Sequence, residues 1–64
     1  MIYKVEFVNK QFAMIEADGY KFNESYNRVF VEFYNEHDSG YRDLVALFVI
    51  DNVVGWEVVG ETIK

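Results

Sequence analysis

Cysteine and proline are both missing from this 64-residue chain. Without cysteine there is no disulfide and no thiolate zinc site. The single histidine, His37, excludes a multi-histidine metal centre. Without proline, one common guard of exposed sheet edges is gone. Glycine is sparse, and Gly19, Gly40, Gly55 and Gly60 stand alone, outside any phosphate-binding loop or dinucleotide fingerprint. The longest apolar run, residues 44–50, is far shorter than the roughly 20 residues needed to span a bilayer. The first residues, Met1-Ile2-Tyr3-Lys4-Val5-Glu6, carry charge where a signal peptide needs an apolar stretch. A cytoplasmic protein that avoids the membrane is therefore expected. Basic residues are also few, six against eleven acidic ones for a net charge of −5. That balance argues against direct binding to nucleic acid or to an anionic membrane surface.

What is abundant is apolar and aromatic. Hydrophobic residues make up 52% of the chain, and aromatic residues 19%, from one tryptophan, five tyrosines and six phenylalanines. A chain this short makes a single domain, residues 1–64, and buries only about 60% of the surface its unfolded form exposes. Each aromatic ring can bury roughly 150–250 Å², so one small core has no room for all of them. Small domains without disulfides or metals rely on exceptional packing or on a partner chain. Surplus rings on an exposed face point to self-association or to a protein partner.

The pattern along the chain is that of strands. Tyr3, Val5 and Phe7 alternate with Lys4 and Glu6, the period of a half-buried strand. Asn9-Lys10 makes a turn, and residues 11–17 form a second strand whose buried face the pattern leaves open. Asp18-Gly19 between apolar runs signals a hairpin. Tyr20-Lys21-Phe22 resumes the alternation, and residues 23–27 read as a polar loop. Residues 28–35 place Val29, Val31 and Phe33 on one face, and Arg28, Phe30, Glu32 and Tyr34 on the other. Residues 36–40 form a turn cluster. From Leu44 to Ile50 both faces are apolar, the mark of a strand that is central or covered on its second face. Asp51-Asn52 turns the chain, residues 53–59 form the last strand with Gly55 marking a bulge or a close backbone approach, and residues 60–64 are a tail. The expected fold is all-β, with about five short antiparallel strands in a small barrel or meander of SH3-like or OB-like size.

Catalytic constellations are weak. Ser25 and Ser39 lie in turn-like segments, and Ser39 beside His37 lacks the geometry of an activated nucleophile. Glu36, Asp38 and Asp43 flank the same turn without the order of a calcium loop. No catalytic residue, cofactor site or metal site is expected. In size and aromatic content the chain is similar to cold-shock domains, but the alternating glycine and phenylalanine run of that family is missing, and the basic residues are dispersed.

The expected function is that of a non-enzymatic, acidic protein-binding module that self-associates. Its candidate interface residues are Phe30, Glu32, Tyr34, Tyr41 and Trp56, large amphipathic side chains of the kind enriched in interfaces, with one acidic neighbour. Two alternatives stand beside it. One is a protein that sequesters a small nucleotide-like ligand at an aromatic interface. The other is a nucleic-acid mimic that lays an acidic stripe of Glu6, Glu16, Glu32 and Glu57, with Glu24, Glu36 and Asp38 in loops, in the basic groove of an enzyme, in the style of small acidic phage inhibitors. A short chain without cysteine, proline or housekeeping motifs also has the profile of phage or mobile-element accessory proteins.

Overall fold

The computed structural model describes residues 1–61. Six strands follow one another: β1 (Ile2–Phe7), β2 (Phe12–Glu16), β3 (Gly19–Ser25), β4 (Arg28–Glu36), β5 (Arg42–Val49) and β6 (Val53–Gly60). A single 3₁₀ turn, Ile50–Asn52, separates β5 from β6. The strands form two antiparallel sheets, sheet I in the order β2-β1-β6 and sheet II in the order β3-β4-β5. The all-β expectation holds, with six strands rather than about five. The barrel does not close, because sheet I and sheet II each keep two edges. The part of the tail from residue 62 onward lies outside the described residues.

The alternation in β1 sets the core. Tyr3 and Val5 point inward and are buried, as are Val31 and Phe33 of β4 and Ala17 after β2. Tyr3 meets Phe33 with ring centroids 5.1 Å apart and Tyr20 at 5.9 Å, while Phe7 meets Phe48 at 5.2 Å. β1 therefore crosses sheet II from β3 toward β5. The Cα envelope is only 12 Å thick, which is one intersheet spacing of about 10 Å and little more. The five buried side chains carry partly buried neighbours around them, Ile15, Ala46, Phe48, Ile50, Val53 and Trp56 among these. Among the described residues the Tyr3 hydroxyl is the polar side-chain group within this core, and no polar or charged residue is buried.

Two local expectations give way. Asp18-Gly19 is not a hairpin but a corner at which the chain leaves sheet I for sheet II. The Ala17 N–H donates to the Met1 carbonyl in one sheet, and the Asp18 N–H donates to the Tyr34 carbonyl in the other, both at 2.9 Å. Glycine is needed at 19 for space. A Cβ there would lie 3.0 Å from the Tyr34 hydroxyl and 3.1 Å from its ring. Residues 23–27 are not a loop either, because β3 continues to Ser25, which pairs with Arg28. Tyr26 and Asn27 make the two-residue turn, with φ of 53° and 61°, the left-handed pair of a type I′ hairpin.

The largest difference concerns residues 44–50. Their two apolar faces suit a central or covered strand, yet β5 lies at the edge of sheet II. Tertiary order decides this. The chain reaches β5 by a hairpin from β4 and leaves it through the 3₁₀ turn for the other sheet, so among the described residues no further strand lies on its open side.

Candidate interaction surfaces

Register fixes which side chains share a face. In sheet II, Tyr20, Phe22 and Glu24 stand opposite Phe33, Val31 and Val29, and Phe48 and Ala46 stand opposite Val31 and Phe33; these face sheet I. Lys21 opposite Glu32, Asn23 opposite Phe30, and Leu47 and Val49 opposite Glu32 and Phe30 make the outer face. A bulge at Val45 lets Leu44 stand opposite Tyr34 on that same face. The outer face thus presents Phe30, Leu44, Leu47 and Val49 around Glu32 and Tyr34. Leu44 is 57% and Leu47 47% exposed.

Tyr34 is pinned within this face. Its ring lies against Gly19 on one side. On the other, the Arg42 guanidinium sits 4.4 Å from the ring centroid and pairs with Glu36 at 3.8 Å. Basic Lys21, Arg28 and Arg42 and acidic Glu32 and Glu36 share this parity. The face carries three positive and two negative side chains in a molecule of net charge −5.

Of the five sequence-derived interface residues, Phe30, Glu32 and Tyr34 are brought together on this outer face. Tyr41 lies just before β5 and stacks on His37 at 5.5 Å. Trp56 is on the other side of sheet II, facing the core from β6, opposite Val5 of β1. Its ring meets Tyr20 at 5.1 Å and Phe22 and Phe33 at 5.9 Å. The residues that complete the outer face, Leu44, Leu47 and Val49, are marked in the sequence only by the two-faced apolar run. Tyr26 stands out for another reason. It is 94% exposed on a backbone with positive φ, a conformation that costs a bulky side chain energy and returns no packing.

The acidic stripe is split by the two sheets. Glu6, Glu16 and Glu57 lie on the outer face of sheet I around Lys4, by their register with Phe12, Ile2 and Lys4. Glu32 lies on sheet II beside Lys21. Lys4 also approaches Glu6 at 4.0 Å and the Phe12 ring at 4.8 Å.

The turn between β4 and β5 holds an oriented polar pair. His37 Nε2 lies 2.6 Å from Asp43 Oδ2. The hydrogen bond from His37, aided by one from Tyr41, holds the Asp43 carboxyl below its ordinary range. Both side chains are about half exposed, so water screens the pair and no enclosed pocket surrounds it. Among the described residues no group of three His, Cys, Asp or Glu side chains is placed to hold a metal ion, and no helix is long and apolar enough to cross a membrane. An open cleft of about 640 Å³ runs between the β1–β2 turn and β5, lined by Phe7, Val8, Leu47 and Phe48 with the amides of Asn9, Gln11 and Asn52. No protein-family model matches the sequence, and no curated protein and no solved structure matches it either.

Proposed function

We propose that this chain is a non-enzymatic protein-interaction module that associates with a second copy of itself through the outer face of sheet II. One observation carries the reading. β5 has the composition of a covered strand, yet Leu44, Leu47 and Val49 stand at an uncovered edge beside Phe30. Burial of exposed apolar surface is worth about 25 cal/mol per Å². The charge distribution supports a like partner. Two molecules of charge −5 repel at most approaches, but this face alone carries a small positive excess, and its Lys21 and Glu32 offer each copy both signs.

The arrangement of strands supports an SH3-like description of the fold. If β2 and β3 are taken as one strand bent at Asp18-Gly19, the order becomes β6-β1-β2/β3-β4-β5 around a single core. That continuity also accounts for a strand count near five.

Sedimentation equilibrium of the wild type and of Leu47→Lys, up to high micromolar concentration, tests the proposal. Leu47 is 47% exposed, so a lysine there is expected to change stability by only about 0.5 kcal/mol. The wild type should dimerise and the variant should stay a folded monomer, as circular dichroism would report. A wild type that remains monomeric over the whole range rules the proposal out.

A further inference from the structure

A second surface lies on the opposite side of the molecule and is independent of the first. Among the described residues β6 is hydrogen-bonded to β1 on one side and to no strand on the other. It lacks two of the usual protections of an exposed edge, since eight residues, VVGWEVVG, contain no lysine and no proline. Its register with β1 shifts at each end, between Glu6 and Phe7 and between Ile2 and Tyr3. Those bulges leave residues 55–58 as the regular stretch able to pair with another strand.

Beside this edge the inner surface of sheet II is uncovered. Trp56 and Val58 point toward the core, opposite Val5 and Tyr3, yet Val58 is half exposed. Phe22, whose ring touches Trp56 at 5.9 Å, is 59% exposed although it faces inward opposite Val31. Val29 on the same face is also open. Sheet II therefore reaches past β6. A strand laid along β6 would sit about 4.8 Å further out, where it would cover Phe22 and Val29 with its inward side chains and pair with the free edge through its backbone.

The charges around the site select the occupant. Asp51 precedes β6, Glu57 lies within it, Glu61 follows it, and Glu24 continues the inner face of β3 beyond Phe22. Lys4 of β1 stands opposite Glu57 on the outer face of sheet I, but no lysine or arginine lies in β6 or on the inner face of β3. A second copy pairing here would bring the same acids against each other, at a cost in like-charge repulsion. We infer that the β6 edge, with Trp56, Phe22 and Val58, docks a short extended segment of another protein that alternates apolar and basic residues, adding a fourth strand to sheet I.

Trp56 is the only tryptophan, so its emission reports on the site. The probes are three capped hexapeptides: alternating Val-Lys, alternating Val-Glu, and the Val-Lys sequence N-methylated on every second residue. Each is titrated into the wild type and into Leu47→Lys at low salt. The Val-Lys peptide should shift the Trp56 emission and protect edge amides within residues 55–58 from hydrogen exchange, equally in both proteins. The Val-Glu peptide should bind about tenfold more weakly or less, the expected effect of several rim charges. The N-methylated peptide should not bind, because it keeps the charge and loses the backbone donors. Four results each overturn the inference: no response to Val-Lys, equal binding of Val-Lys and Val-Glu, undiminished binding of the N-methylated peptide, or amides at 55–58 already protected by self-pairing that dilution removes. The last would name a second copy as the occupant of this edge. Because the Leu47→Lys arm is read separately, the result does not depend on whether sheet II self-associates.

Discussion

Tyr3 is only 3% exposed, and its hydroxyl finds a weak acceptor in the Met1 sulfur at 3.8 Å. Burial, reinforced by Tyr20, Tyr34 and nearby acids, pushes its pKa above the ordinary tyrosine value. The folded state thus holds this proton more tightly than the unfolded state. Its stabilising contribution is complete below a pH of about 10 and is lost as pH rises from there through the folded pKa. Tyr3→Phe keeps the ring and removes the ionisation. It should change neutral stability by no more than about 1 kcal/mol and make unfolding at alkaline pH less steep. Urea melts of both proteins from neutral to alkaline pH check this, and parallel profiles would contradict it. The strand alternation already places Tyr3 on the inward face. That its hydroxyl is taken out of water depends on Tyr20 and Phe33 from the other sheet, which adjacency in the chain does not reveal.

The β3–β4 hairpin is tight because β3 runs on to Ser25, and its turn is strained because Tyr26 occupies a left-handed position. Asparagine tolerates that conformation far better. Tyr26→Asn should raise stability by about 0.5–1 kcal/mol, which is about 3–6 °C in Tm for a domain of this size. Calorimetry would show it, and an unchanged or lowered Tm would mean that the Tyr26 ring makes a stabilising contact its 94% exposure conceals. At this scale the sequence is legible where a pattern is local. The turns at Asn9-Lys10, at residues 37–40 and at Asp51-Asn52 lie where turn residues cluster, although Glu36 of the expected 36–40 turn ends β4, and the bulge expected at Gly55 adjoins one of the two register shifts in β6. It misleads where the same local signal has two uses. Asp-Gly suits a hairpin, but here it lets the chain change sheets beneath the Tyr34 ring.

The Cα envelope, 12 Å in its shortest extent, is that of a thin sandwich with two unfinished sides. Those sides differ in charge, and salt should separate them. At the outer face of sheet II, screening removes the repulsion between two molecules of charge −5. At the β6 edge it weakens the attraction of a basic segment to Glu24, Glu57 and Glu61. Raising salt to about 0.5 M should therefore maintain or tighten self-association while loosening the Val-Lys peptide. Sedimentation and Trp56 fluorescence measured on the same samples would show whether the responses diverge. Responses in the same direction would mean that the two surfaces are not electrostatically distinct.

Composition and alternation by themselves determined that this protein is built of strands, that Tyr3 and Val5 share one face of their strand and Val31 and Phe33 one face of theirs, and that the apolar content exceeds what one small core can hold. Those properties follow from period-two patterning and from surface-to-volume scaling, and both are readable one residue at a time. Tertiary structure alone decided where the excess lies. Strand order put the two-faced segment β5 at an edge. It turned Trp56 to a different surface from Phe30, Glu32 and Tyr34, and it left Phe22 uncovered beside β6. Strand order is set by which segments pair across the chain, and those long-range pairings carry no signature in any one segment.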